Sequence, residues 1–265
     1  MSAANPRPSL RGPVPASQVS VVLPTYNEAG NIIILMQGLL DALGPAVEII
    51  VVDDASPDGT AQAVRTFAAD HPQVRLVYRA DERGLTSAIW RGIQESARPV
   101  VCWMDCDLSM PPADFPRILE ALAQHDLALG SRYVPGGGDQ GHGWLGRFLS
   151  QTICRLSRLL LGGRVLDLTS GFMAVRRYVL DELGLRGDYG EYCIDLIHRA
   201  QKRGYSAVEV PYLCLPATAA NPRPASASPA SSAVAPATSP PSTTSGNAKA
   251  ACGGRWGRGE GEGGR

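Results

Sequence analysis

The feature that most restricts how this chain can fold is a regular alternation of continuously apolar stretches with helix-patterned ones. VSVVLP (Val19–Pro24), VEIIVVDD (Val47–Asp54), VRLVYR (Val74–Arg79) and PVVCWMD (Pro99–Asp105) have the length and character of buried strands. NIIILMQGLLDAL, TAQAVRTFAADH and TSAIWRGIQESA lie between them and repeat their apolar residues with helical period. Strands that are apolar on both sides must be covered on both sides, and strands joined through helices run parallel. The expected architecture is therefore α/β, with a mostly parallel central sheet and helices on both faces. In such sheets ligands gather beyond the carboxyl ends of the strands. Asp53, Asp54, Asp105 and Asp107 all fall at such ends.

Asp105 and Asp107 are separated only by Cys106. Residues two apart on a strand point the same way, so two carboxylates in that relation repel unless a cation lies between them. A bound metal is the simplest reason for the pair. The two preceding strand-to-helix turns carry further candidates. In PTYNEAGNI, Pro24 stiffens the turn, Tyr26 offers a flat face to a base, and Glu28 accepts hydrogen bonds from base or ribose donors. An ordinary turn with Glu28 as a first-turn acid fits equally well. In VVDDASPDGT, Asp54 suits the edge of a nucleobase while Ser56, Pro57, Asp58 and Gly59 cap the next helix. One of the two adjacent aspartates is expected to be structural and the other functional.

Further along come a helix (FPRILEALAQ), a strand (LALGSRYV), a glycine-rich loop, a helix from Trp144 into Gly162, the segment DLTSGFMAVRR, a helix (CIDLIHRAQKRG) and a strand (SAVEVPYLCL). Three parts are expected: a disordered lead-in at residues 1–18, one ordered domain at 19–215, and a disordered tail of low complexity at 216–265, built from Ala, Pro, Ser, Thr and Gly. The 25 basic and 25 acidic residues cancel. No global field draws the chain to nucleic acid or to an anionic membrane, so phosphate binding must be local. The six cysteines have no zinc-type paired spacing, there is no secretory leader, and no apolar run is long enough to span a bilayer. A cytoplasmic location, with at most peripheral membrane contact, is expected. The 144–161 helix sets Leu145, Phe148, Leu149, Ile153, Leu156, Leu159 and Leu160 on one stripe and Arg147, Arg155 and Arg158 elsewhere. That pattern fits a helix lying in a membrane interface, and fits equally a core-facing helix with a solvated basic face.

Neither the G-x-G-x-x-G fingerprint of dinucleotide-binding enzymes nor the G-x-x-x-x-G-K-[ST] phosphate loop is present, which argues against a dehydrogenase and against ordinary NTPase chemistry. PTYNE, VVDDASPDGT, RGLTSAIWRG, DCDLS, GSRYVPGG and DLTSGF, in that order, instead resemble the motifs of family 2 inverting glycosyltransferases of GT-A fold. Within that group the chain is similar to the dolichol-phosphate (polyprenyl-phosphate) mannosyltransferases, over Val19 to Leu215.

The resemblance implies that Pro24, Tyr26, Glu28, Val52 and Asp54 hold the nucleotide of GDP-mannose. It places Asp105, Cys106 and Asp107 on a D-A-D motif whose carboxylates share Mg²⁺ or Mn²⁺ with the diphosphate. Arg132 matches an arginine that contacts phosphate near the reacting centre, and Ser109 a further polar group of the metal shell. Asp107 and Arg132 are thus the catalytic candidates. The implied partners are GDP-mannose, a polyprenyl or dolichyl phosphate in a membrane, and small membrane-anchoring subunits, with no nucleic acid. The implied location in a eukaryote is the cytosolic face of the endoplasmic reticulum. UDP-glucose or another nucleotide sugar is the alternative donor. Family members continue past the last strand into a basic R-x-x-G-x-S-K-like segment, where this chain turns to low complexity. A binding form without turnover is therefore the alternative from another class.

Overall fold

The computed structural model describes residues 12–218, and all of them belong to one compact unit. The expectations for residues 1–11 and 219–265 lie outside the described residues. The first half follows the strand–helix order read from the sequence: β1 (Val19–Thr25), α1 (Ile32–Leu43), β2 (Glu48–Asp53), α2 (Thr60–Asp70), β3 (Val74–Tyr78), α3 (Leu85–Glu95) and β4 (Val100–Trp103). Then come α4 (Phe115–Leu122), β5 (Leu127–Ser131), β6 (Gly138–Asp139), α5 (Trp144–Leu161), β7 (Met173–Arg176), α6 (Arg177–Leu183), α7 (Glu191–Lys202), β8 (Ala207–Pro211) and β9 (Leu213–Cys214).

Seven strands form one sheet in the order β3-β2-β1-β4-β7-β5-β8, and β6 pairs with β9 in a small separate ribbon. Only β7 runs antiparallel, between β4 and β5. The chain starts in the middle of the sheet, builds outward through β2 and β3, then returns to place β4 on the other side of β1. That reversal opens a crevice between the carboxyl ends of β1 and β4. The apolar strands are covered on both sides as their composition requires. One core cluster packs Leu35, Leu39, Val64, Phe115 and Leu122 of α1, α2 and α4 against Val21, Leu23 and Val51. The other packs Ile89, Ile93, Leu180, Leu196 and Ile197 of α3, α6 and α7 against Val22, Val52 and Val101.

Three expectations are revised, and one segment left unassigned takes shape. The lead-in is not disordered through residue 18: Gly12 N–H donates to the Ala123 carbonyl at 2.9 Å, Val14 and Ala16 pack against the core, and Ala16–Gln18 form a 3₁₀ turn. SAVEVPYLCL is broken in two, because β8 stays in the main sheet while Leu213 and Cys214 pair with Gly138 and Asp139. DLTSGFMAVRR supplies the one antiparallel strand, and α6, read from no periodicity, follows it directly. Finally, the expected tail is docked at its start: Leu215 N–H donates to the Ser109 carbonyl and Thr218 N–H to the Asp107 carbonyl, both at 2.9 Å.

Gly92 sets the distance between α3 and the sheet. A Cβ there would stand 2.3 Å from Val22 Cγ1 and 3.1 Å from Val52 Cγ2. Alanine would gain about 1 kcal/mol of helix propensity, but overpacking a filled core costs about 1–3 kcal/mol. Gly92→Ala is expected to lower stability by about 1 kcal/mol or more in denaturant unfolding, and Gly92→Val by considerably more. An alanine variant that is more stable than the parent would show that α3 does not rest on β1 and β2 at this point.

Candidate active site

The three loops that follow β1, β2 and β4 meet at the crevice, and side chains fasten them together. Ser56 donates its backbone N–H to Asp53 Oδ2 and its hydroxyl to Asp53 Oδ1, while Thr25 donates to Oδ1 at 3.0 Å. In return the backbone N–H groups of Asn27, Glu28 and Ala29 donate to Ser56 Oγ, Thr60 Oγ1 and Asp58 Oδ2 at 2.9–3.0 Å. Asp53 is therefore the structural member of the aspartate pair. Cys106 Sγ reaches the Pro24 carbonyl at 3.4 Å, joining the third loop to the first.

Each of these loops holds one non-glycine residue in the left-handed region: Asn27 at φ 61°, Ala55 at 53° and Leu108 at 63°. Such conformations cost of order 1–3 kcal/mol each and persist where the surroundings over-determine them. Here they turn the chain sharply at the strand ends, so that the residues after β4 face the crevice.

Asp54 is also engaged. Arg79 donates through Nε at 2.7 Å and Gly84 through its backbone N–H at 2.9 Å, with Arg79 Nη2 2.5 Å from Oδ1. Burial pushes the Asp54 carboxyl upward, against the pull of Arg79 and Gly84. Arg79 itself, unremarked in the sequence, ties Asp54 to Ser87 and to the Gly84 carbonyl at the start of α3. Tyr26 is half-buried, with the Arg83 guanidinium 5.3 Å from its ring centroid. Glu28 is buried and accepts from Asn31 Nδ2 at 3.0 Å; the same amide nitrogen donates to the Thr218 carbonyl. Val52 and Pro24 are buried, Val52 as part of the core beside α3. The Val52 side chain faces that core and not the crevice.

Asp105, Asp107 and Arg132 line one cavity of about 280 Å³, together with Ser109, Thr169, Ser170, Gly171 and Tyr192. Ser109 donates both its backbone N–H (3.0 Å) and its hydroxyl (2.6 Å) to Asp107 Oδ1. That leaves Oδ2 with no partner among the described residues. A Cβ on Gly171 would stand 3.7 Å from Asp105 Oδ2, so the glycine keeps the space beside that carboxylate open. Two carboxylates and a hydroxyl facing one polar cavity are hard oxygen donors of the kind that suit Mg²⁺ or Mn²⁺. Cys106 between them is wholly buried and turned toward Pro24, so its thiol is not a ligand.

Arg132 follows β5 and is held from behind. Its backbone N–H and Nε donate to Asp167 Oδ2, and Nη2 donates to Asp167 Oδ1 and Thr169 Oγ1, all at 2.8–3.0 Å. Nη1 lies 3.5 Å from Asp139 Oδ2. Burial disfavours the guanidinium charge, but the Asp167 hydrogen bonds and charge outweigh that and keep the group firmly cationic. Asp167 in turn is fixed through Glu209, which accepts the Leu166 and Asp167 N–H groups. The signal for Asp167 in the sequence was a carboxylate inside DLTSGF, a motif already singled out but given no role. The cavity does not include Pro24, Tyr26, Glu28, Val52 or Asp54, so the proposed site residues form two groups along one crevice.

Residues 20–184 match the family model described as "Glycosyl transferase family 2". The chain belongs to glycosyl transferase family 2. Within that family it is 41% identical over 205 residues to polyprenol monophosphomannose synthase of Mycolicibacterium smegmatis, covering 74% of this chain and 77% of that one. It is 36% identical over 202 residues to undecaprenyl-phosphate mannosyltransferase of Micrococcus luteus, covering 73% and 82%. Among solved structures it is similar to a mannosyltransferase from Pyrobaculum calidifontis in complex with GDP-mannose and Mn²⁺, with 25% identity, a TM-score of 0.51 and coverage of 78% and 60%. The fold is the GT-A glycosyltransferase fold expected from the sequence.

In this family 2 chain the Arg79–Asp54 pair is the most buried link between the loop after β2 and α3, with side-chain exposures of 3% and 10%. Removing one partner of a buried pair strands the other charge, at a cost of about 3–5 kcal/mol. Arg79→Ala is expected to reduce stability on that scale in urea unfolding. Arg91→Ala, which breaks an exposed pair with Glu95, should change it by less than about 1 kcal/mol. Equal small effects for both would show that Asp54 is not anchored as described.

Proposed function

We propose that this chain transfers mannose from GDP-mannose to a polyprenyl phosphate, dolichyl phosphate in a eukaryote, with inversion at the anomeric carbon and with the help of Mg²⁺ or Mn²⁺. The observation that carries the reading is the cavity in which Asp105 and Asp107 face Arg132, in a chain whose family 2 relatives are named as polyprenyl-phosphate mannosyltransferases. Asp105 and Asp107, with Ser109 behind Asp107, would hold the cation, which when bound offsets charge on the departing diphosphate.

The remaining tasks fall to the protein. The guanosine would lie along the loops after β1 and β2, where Tyr26 and Arg83 offer stacking surface and Glu28 and Asp54 accept hydrogen bonds. A cavity of about 280 Å³ is of a size for a hexose and not for a whole sugar nucleotide, which supports a mannose bound beside the carboxylates. Arg132, kept cationic by Asp167, would orient phosphate oxygens at the reacting centre. A phosphate oxygen of the acceptor forms the new bond to the anomeric carbon on one face as the bond to GDP breaks on the other. The acceptor monoester, with a second pKa near 6, is already largely ionised at neutral pH. The site therefore needs no general base, and its work is positioning and charge stabilisation.

The acceptor side is α5. The core-facing alternative for this helix is overturned: Cys154 is its only buried residue, while Trp144, Leu145, Phe148, Leu149, Ile153, Leu156, Leu159 and Leu160 are all exposed. Each large apolar side chain moved out of water gains about 1.5–3 kcal/mol when fully buried. A lipid surface would supply that burial while Arg155 stays at the polar boundary. Among the described residues no helix is long and apolar enough to cross a membrane. The exposed apolar face of α5 supports a peripheral mode of action on a cytosolic membrane face, with small membrane-anchoring subunits as compatible partners.

The test is transfer of radiolabelled sugar to polyprenyl phosphate in phosphatidylcholine vesicles. GDP-mannose with Mn²⁺ should give lipid-linked product, UDP-glucose little, and chelation none. Leu159→Glu with Leu160→Glu should cut both vesicle co-flotation and transfer at least tenfold without lowering the melting temperature, since both residues are about four-fifths exposed. Preferential use of UDP-glucose would change the donor, donor binding without product would indicate a binding form, and unchanged flotation of the double variant would remove the membrane role of α5.

A further inference from the structure

We infer that Asp139, His142 and Cys214 form a second metal site, for a thiophilic divalent cation of the Zn²⁺ class, beside the same cavity, which His142 and Cys214 line, but chemically distinct from the Asp105–Asp107 pair. One donor atom from each of the three residues lies within 4.8 Å of the other two. The backbone brings them together: β6 and β9 pair with Asp139 opposite Cys214, Gln140 N–H donates to the Cys214 carbonyl at 2.8 Å, and His142 N–H donates to Asp139 Oδ1 at 3.0 Å. The arrangement is thus fixed by main-chain bonds on both sides. Asp139 and Cys214 are buried and His142 is half-exposed, which leaves one open approach.

The electrostatics favour a cation there. Asp139 and Asp167 are buried carboxylates that share the Arg132 guanidinium, and Asp167 takes the close bidentate bonds while Asp139 is left at 3.5 Å. Arg147 reaches the Asp139 backbone carbonyl and not its carboxylate. Besides the His142 N–H on Oδ1, the carboxylate meets the His142 ring, whose Nδ1 lies 3.0 and 3.1 Å from its two oxygens. A cation would take the place of the proton bridging these groups, with the ring proton moving to solvent-facing Nε2 and the Cys214 thiol proton released. Tetrahedral zinc needs donor separations of roughly 3.3–3.7 Å, given bonds of about 2.0–2.3 Å. The three donors now lie within 4.8 Å of one another, so binding would draw all three side chains together, His142 by rotation on its exposed side and the carboxylate and thiol by smaller rotamer adjustments. Thiolate plus imidazole plus one carboxylate selects a softer ion than the oxygen-only pair at Asp105 and Asp107.

Cobalt(II) reports the difference directly, because only thiolate ligation gives an intense near-ultraviolet charge-transfer band. The full chain, reduced and held in excess Mg²⁺ to occupy the oxygen site, is titrated with Co²⁺. The expected result is a saturable band with one-to-one stoichiometry that Zn²⁺ displaces and Mn²⁺ does not. Cys214→Ser should abolish the band, His142→Ala should weaken binding at least tenfold, and Asp107→Asn should leave it unchanged. Since His142 is half-exposed, its variant tests the site without threatening the fold. Absence of the band in the parent, its persistence in Cys214→Ser, or its loss in Asp107→Asn would each overturn the assignment.

Discussion

Four carboxylates crowd the carboxyl ends of neighbouring parallel strands, and the rest of the structure is arranged around keeping them there. Asp53 ends β2 and Asp54 follows it, while Asp105 and Asp107 follow β4 across the crevice from β1. Like charges at that spacing repel, and each is answered differently. Asp53 is spent on hydroxyl and backbone donors that stitch two loops together. Asp54 is neutralised by the buried Arg79. Asp107 receives only the Ser109 donors on one oxygen, and no arginine, lysine or histidine pairs with it among the described residues. A carboxylate supported from behind and open toward a cavity is what a hard cation requires.

The same division explains the second half of the site. Arg132 and Asp167 would each be a costly buried charge alone, and each is offset by the other, while Glu209 orders the loop that carries Asp167. The three positive-φ residues at Asn27, Ala55 and Leu108 belong to the same balance: local strain at the strand ends is held by the hydrogen bonds that surround it. The three strained residues and the Arg79–Asp54 and Arg132–Asp167 pairs therefore gather at one end of the sheet, while the body of the domain is two apolar layers.

How much of this was legible in the sequence depended on range. Strand and helix order in the first half was readable because burial on both faces leaves continuous apolar runs such as VEIIVVDD. The Asp105–Asp107 pair was readable because it is local. That one of the two adjacent aspartates is structural was legible, and Asp53 is such a residue, but the partner that holds Asp54 was not, since Arg79 lies 25 residues away in sequence. Asp167 escaped for the same reason, pairing with Arg132 across 35 residues. The α5 stripe was readable as a pattern, yet periodicity cannot tell a face turned to the core from one turned outward. The boundaries at residues 18 and 216 were drawn from composition alone, and short main-chain bonds such as Thr218 to Asp107 leave no compositional trace.

The claim on which the account rests is that Asp105 and Asp107 hold the cation that binds the donor diphosphate. Calorimetric titration of GDP-mannose into the parent chain and into Asp107→Asn, each with Mn²⁺ and with chelator, measures it most directly. Loss of a charge-assisted contact of about 1.5–3 kcal/mol predicts at least tenfold tighter donor binding with Mn²⁺ in the parent, and little or no metal dependence in the variant. Equal affinity in the parent with and without Mn²⁺, or an undiminished metal effect in Asp107→Asn, would contradict the account.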